Sequence, residues 1–152
     1  MIFLNTKVID LNVRRKIVME NYRKCDIYND TLKSENSDYL HSNTCADAFY
    51  INIKINNERI ESTHLNHNGC AIFKASSCMY LSMIQKMTIS ELKIFNDNYK
   101  QLISGKKYDE KLMKDLYVFD NVKEHLNRIT CASLISEYID NFLEINNDDL
   151  NG

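Results

Sequence analysis

Cys45, Asp47, Cys70 and Cys131 are the residues whose types and spacing could do chemistry. Cys45 and Asp47 stand two positions apart where an alternating segment begins. Residues i and i+2 of a strand share a face, so both side chains can reach one ion. Cys70 follows Gly69, where the pattern turns from strand to helix, and Cys131, in RITCASL, is expected to open another helix. A helix start offers free N–H groups and the positive end of the dipole, both of which favour a thiolate. Three thiolates and a carboxylate make a tetrahedral donor set that suits zinc, or iron in a cluster. One cysteine alone is commonly a small buried hydrophobe.

The other candidates are weaker. Cys78 lies eight positions after Cys70 in the same expected helix, which puts it ~12 Å away, too far to share a metal with it. Cys25 and Cys78 are therefore read as structural. His64 and His67 precede Cys70 closely enough to compete as ligands but read more simply as surface or loop imidazoles, and His41 and His125 have no evident partner. No phosphate-binding glycine loop, dinucleotide fingerprint, H-E-x-x-H or G-x-S-x-G motif occurs, so nucleotide-driven and hydrolytic activities have no support.

The elements that must position these residues follow from periodicity. Leu11, Ile17, Val18 and Tyr22 predict an amphipathic helix over about 6–24. The polar stretch that follows reads as loop, with room for a short strand at 39–41. Phe49, Ile51, Ile53 and Ile55 alternate with polar neighbours, predicting a half-buried strand. Asn56-Asn57 is expected to turn it into a return strand over about 59–66. Ile72, Ala75, Met79 and Met83 predict a helix to about residue 86. Thr88 and Glu91 form a capping box, and Met87 with Leu92 can staple it, for a helix stopping near Gly105. Short helices are expected over 111–115 and 117–124. A last helix, from near Cys131, is expected to bury Leu134, Ile135, Tyr138, Ile139 and Phe142. The polar tail, about 146–152, is expected to fray.

At 152 residues the chain reads as one domain, 1–152, large enough for a core without staples. With 44% hydrophobic and 26% charged residues its composition is that of a soluble globular protein. A formal charge of -2 argues against a nucleic-acid-binding surface, and no apolar run approaches a membrane span. The opening residues carry no secretion signal. Five cysteines in that context point to a reducing cytoplasm and to thiol or metal chemistry rather than a disulfide frame.

NTCADAF, NGCAIFKASS and RITCASL resemble, in order, the three cysteine motifs of the U-type iron–sulfur assembly proteins, the SufU/IscU/NifU N-terminal family. The likeness runs from RKIVMENY to about residue 138. Two features lie nearer SufU than IscU: ISGKKYDE in the long interval between Cys70 and Cys131, and Thr130 where IscU proteins carry a His. With the layer logic of a strand pair and amphipathic helices, the resemblance implies an α+β fold of the SufE/NifU type. That fold is a small antiparallel sheet of about three strands with helices packed on one face. It implies that Asp47 is the fourth zinc ligand beside Cys45, Cys70 and Cys131, that Cys45 accepts sulfur, and that Arg128 supports the site by its charge. Ala46 stands where the family has Gly, Cys25 where it has Pro, and Asn21 replaces the His of an N-terminal His-Tyr pair. The function implied is a zinc-dependent acceptor and carrier of persulfide sulfur, a sulfurtransferase if it turns over. Its partner would be a pyridoxal-phosphate cysteine desulfurase of the SufS kind, with downstream cluster assembly machinery beyond it. The alternative is a scaffold that builds a [2Fe-2S] cluster on the same ligands.

Overall fold

The computed structural model describes residues 2–25, 37–43 and 46–151. Cys45 and residues 26–36, most of the stretch expected as loop, lie outside the described residues. The alternation at Phe49–Ile55 produces a nine-residue strand, β2 (Ala48–Asn56), and the chain returns antiparallel as β3 (Arg59–Asn68). The turn is Asn57-Glu58, one residue later than expected, with φ of 53° and 66°. A two-residue turn of this hand needs positive φ at both central positions. Keeping Ile55 opposite Ile60 fixes which two residues must adopt it. A short strand, β1 (Asp38–His41), pairs with the other edge of β2, giving the sheet order β1-β2-β3.

Opposite residues share a face, and the pairs Phe49–His67 and Ile51–Leu65 are all buried. The helices cover that face, which makes the expected α+β architecture. The return strand alternates poorly in sequence because its inward positions include an imidazole, His67, which is only 3% exposed. The expectation of a surface or loop His67 is thereby corrected.

Helix α1 (Ile2–Cys25) extends the expected helix at both ends. Arg14 ties it to Asp10 in the same helix and to Asp120, and lies over the Tyr117 ring at 5.1 Å. Helix α2 (Ala71–Met83) stops before residue 86, because Lys86 turns to a φ of 67° and the chain hydrogen-bonds back to Ile60 through Lys86 and Met87. The expected stripe on α2 was one-sided. Phe73 and Tyr80 are fully buried beside Ala75 and Met79, because this helix is wedged between α1 and the last helix.

Helix α3 (Ile89–Ile103) starts where the capping box places it, with the Glu91 N–H donating to Thr88 Oγ1 at 3.1 Å, and ends before Gly105, whose φ is 77°. The expected short helices are α4 (Glu110–Met113) and two 3₁₀ turns, Lys114–Phe119 and Val122–Glu124. Helix α5 (Leu126–Asn151) begins five residues ahead of Cys131 and runs through the tail that was expected to fray. Cys131 therefore sits in the second turn, and the helix-start argument for its thiolate does not hold.

A chain of polar groups, buried at Tyr80 and Asn96 and half-exposed at Lys100 and Asp140, locks α2, α3 and α5 together. The Tyr80 hydroxyl donates to Asn96 (2.7 Å), and Asn96 and Lys100 both donate to Asp140 (2.8 and 2.9 Å). Paired in this way, buried polar groups specify one packing of the three helices. Although the cysteine usage pointed away from a disulfide frame, one cross-link is present: Cys25, at the end of α1, is bonded to Cys78 on α2. Among the described residues, no helix is long and apolar enough to cross a membrane.

Candidate metal centre

Asp47 is the last residue before β2, and its carbonyl is held by the Ser42 N–H at 2.8 Å. Its carboxylate is turned inward, 2% exposed, and Oδ1 accepts the Cys70 N–H at 2.8 Å. Cys70 is the N-cap of α2. It has the extended backbone of a capping residue (φ -75°, ψ 166°), and its sulfur faces the Phe73 N–H at 3.5 Å. A thiol in this position receives the positive end of the helix. Gly69 is required by close approach: a Cβ there would fall on the Asp47 carboxylate and on Phe73.

Cys131 reaches the same point from α5. Its sulfur is 3.2 Å from that of Cys70, and Cys70 Sγ is 3.7 Å from Asp47 Oδ2. Its helix is held in place by the Tyr99 hydroxyl, which donates to the Ala132 carbonyl at 2.5 Å. Underneath, Phe49 meets Phe73 edge-on, with ring centroids 5.5 Å apart, and closes the site from below. Burial pushes the Cys131 thiol well above its ordinary pKa, and its hydrogen bonds and charge contacts with Asp47 and Cys70 add to the rise. A bound cation would offset that burial by taking the place of the Cys131 proton.

The donor set fits a tetrahedral ion. With bonds of ~2.3 Å to sulfur and ~2.0–2.2 Å to oxygen, tetrahedral edges are ~3.8 Å for two sulfurs and ~3.5 Å for sulfur and oxygen. The sulfur–oxygen separation of 3.7 Å lies close to its edge, and the two sulfurs, at 3.2 Å, stand ~0.6 Å closer than theirs and would part slightly around an ion. Asp47, Cys70 and Cys131 would hold such an ion and leave one vertex of the tetrahedron. Cys45, expected as the fourth ligand, is outside the described residues. Arg128 lies exposed on the first turn of α5, one turn ahead of Cys131.

A second group escaped the sequence reading. Cys25, Cys78 and His67 bring their ligand atoms within 4.8 Å of one another, as do Asp47, Cys70 and Cys131. Cys25 and Cys78 are 53 positions apart, and no local pattern links residues so distant. The one available signal was two otherwise unexplained cysteines on consecutive helices.

The model of the NifU-like N terminal domain matches residues 14–132. An iron–sulfur cluster assembly scaffold protein IscU of Streptococcus pyogenes serotype M1 is 25% identical over 96 residues, 62% of this chain and 60% of that relative. The chain thus matches about three fifths of the relative's length. In fold it is similar to the crystal structure of FiSufU from Fervidobacterium islandicum AW-1, a protein assigned as a cluster assembly scaffold for the SUF system. The TM-score is 0.73 at 21% identity, covering 82% of this chain and 91% of that one. The N-terminal NifU-like protein of Brucella abortus is more distant, with a TM-score of 0.60 at 18% identity over 70% of this chain and 74% of that one. Since the family match takes in residues 14–132, well over half of the sequence, the chain belongs to the NifU-like N-terminal domain family.

Proposed function

We propose that this protein works in iron–sulfur cluster assembly, as a zinc-dependent acceptor and carrier of persulfide sulfur from a cysteine desulfurase. The observation that carries the reading is the convergence of the ligand atoms of Asp47, Cys70 and Cys131 within 4.8 Å of one another. Zinc, when bound, keeps the thiols deprotonated and in one arrangement. Asp47 anchors the start of α2 through the Cys70 N–H, and so keeps the strand start and the helix start together. Cys45 is the acceptor in this reading. Its thiolate attacks the outer sulfur of the partner's persulfide, the partner's S–S bond breaks, the partner's thiolate leaves, and a new S–S bond stands on Cys45. No net oxidation occurs. The pyridoxal phosphate belongs to the desulfurase.

A second reading is a scaffold that assembles a [2Fe-2S] cluster on the same ligands. It is favoured by the names of the IscU and FiSufU relatives, both described as scaffolds. Thr130 counts against it. The Thr130 hydroxyl turns back to donate to the Leu126 carbonyl at 3.2 Å, and a threonine offers no imidazole at the position where IscU proteins carry one. One experiment separates the two readings. Protein purified without added iron is analysed for metal and absorption, then added to a cysteine desulfurase. The acceptor reading expects colourless protein with about one zinc at this centre and faster cysteine turnover. A brown protein whose cluster survives purification, with unchanged turnover, selects the scaffold.

A further inference from the structure

Cys25, Cys78 and His67 meet where α1, α2 and β3 come together, two turns along α2 from Cys70. Two of the three are sealed in: Cys25 is 0% and His67 3% exposed. The two cysteines are bonded, with their Cα atoms 5.9 Å apart, and a disulfide alone would account for that pair. It does not account for the imidazole. His67 Nε2 lies 3.7 Å from Cys78 Sγ, in a face of β3 otherwise given to Ile60 and Leu65. A tetrahedral ion bound by one sulfur and one imidazole nitrogen sets those two atoms ~3.6 Å apart. A Cα separation of 5.9 Å is also short enough for both sulfurs to reach one ion at ~2.3 Å each. The Lys74 carbonyl, 3.1 Å from Cys25 Sγ, can accept from the Cys25 thiol once the bond is reduced.

The geometry points to a second metal site, in which the reduced Cys25 and Cys78 bind a thiophilic divalent cation such as zinc together with His67, the disulfide being the oxidised form that cannot bind. Reduction by a thiol or phosphine delivers two electrons to the S–S bond and yields two thiols, the reductant leaving as its disulfide or phosphine oxide. Binding then forms two metal–sulfur bonds and one metal–nitrogen bond and releases two protons. Two sulfurs and one imidazole leave one vertex for water or an exchangeable ligand. This site shares no residue with Asp47, Cys70 and Cys131, so it stands whether or not the proposed sulfur-transfer role is right.

The full chain, reduced with a phosphine under anaerobic conditions, is titrated with Co²⁺ and Zn²⁺. Bound metal is counted by elemental analysis, and the sulfur-to-cobalt charge-transfer bands are recorded. The Cys131→Ser variant, whose first centre is disabled, should bind one ion when reduced and none once peptide mapping shows the Cys25–Cys78 bond re-formed. His67→Ala in that background should weaken the remaining ion at least tenfold. The wild-type protein should bind one more ion reduced than oxidised at Cys25–Cys78, a comparison that needs no variant. The proposal is overturned if the reduced Cys131→Ser protein binds no ion with thiolate charge-transfer bands. It is equally overturned if its ion persists in Cys25→Ser/Cys78→Ser/Cys131→Ser. Failure of the first centre would look different, because reduced wild-type protein would then hold one ion that Cys131→Ser leaves in place.

Discussion

Helix α2 carries one cysteine cluster at its start and another near its middle, and the two differ in how they are enclosed. At its start, Cys70 is exposed and caps the helix, and Asp47 and Cys131 lie just beneath it. Two turns on, Cys78 faces a fully buried Cys25 and a nearly buried His67, and the sulfurs are joined. Similar donor types thus yield different chemistry. A site on a helix cap can be reached by a partner protein, and its carboxylate adds charge that favours a cation. A site under α1 is out of a protein partner's reach and instead ties two helices together. Exposure and the third donor, more than the cysteines, decide what each cluster can do.

The largest effect should come from breaking the exposed cluster. Cys131→Ala or Cys70→Ala should abolish retention of metal at that centre and stimulation of a desulfurase, and lower the melting temperature of the metal-loaded protein, since bound metal stabilises only the folded form. Cys45→Ala should abolish sulfur acceptance while keeping more of the fold. Zinc content, melting temperature and cysteine turnover are the measurements. Full activity of Cys131→Ala would remove the centre from the mechanism.

The buried cluster should show the opposite pattern. By loop-closure entropy, cross-linking residues 53 apart stabilises by up to about 4 kcal/mol. Metal-free protein reduced at Cys25–Cys78 should therefore melt several degrees lower, and metal at the exposed centre should be retained. Equal melting curves before and after reduction, with the thiols shown to be free, would contradict the assignment of a stabilising cross-link.

Gly69→Ala sharpens the comparison from the backbone side. Its Cβ would run into the Asp47 carboxylate and Phe73, displacing one donor at a cost of about 1–3 kcal/mol. Metal affinity of the exposed cluster should drop, and the Cys25–Cys78 bond should form as before. An unchanged metal affinity would mean that the Asp47 carboxylate is not held where the Cys70 N–H places it.

The smallest effect is a pH dependence confined to the exposed cluster. The folded-state pKa of Cys131 is raised by burial and then by Asp47 and Cys70. The metal-free folded protein therefore keeps a proton that the unfolded chain gives up above a thiol pKa of about 8.5. That contribution is full below the unfolded pKa and is lost as pH rises above it. Metal-free wild type should thus lose more melting temperature between pH 7 and 9.5 than Cys131→Ala does. Identical losses would count against a raised Cys131. Because metal displaces the same proton, affinity at this centre should fall on acidification.

Much of the exposed centre was legible in the sequence, because each part of it carries a local signal. Alternation marked β2, the strand-to-helix switch behind Gly69 marked Cys70, and T-x-x-E marked the start of α3. Such features depend on neighbours a few residues away, which is the range over which periodicity and capping operate. Tertiary structure decided the rest. Helix α5 starts ahead of Cys131 because His125, not Thr130, is where the chain enters it: the His125 carbonyl accepts from both Arg128 and Ile129. His67 became a buried residue because the hairpin register sets it opposite Phe49 on the covered face. Cys25 met Cys78 because α1 packs along α2, a contact between residues 53 positions apart that no local pattern encodes. The sequence by itself determined that Cys70 caps a helix behind Gly69, that Asp47 precedes a half-buried strand, and that Thr88 opens α3. Which side chains face one another was settled only by packing, since burial of apolar faces orients whole elements and carries their cysteines with them.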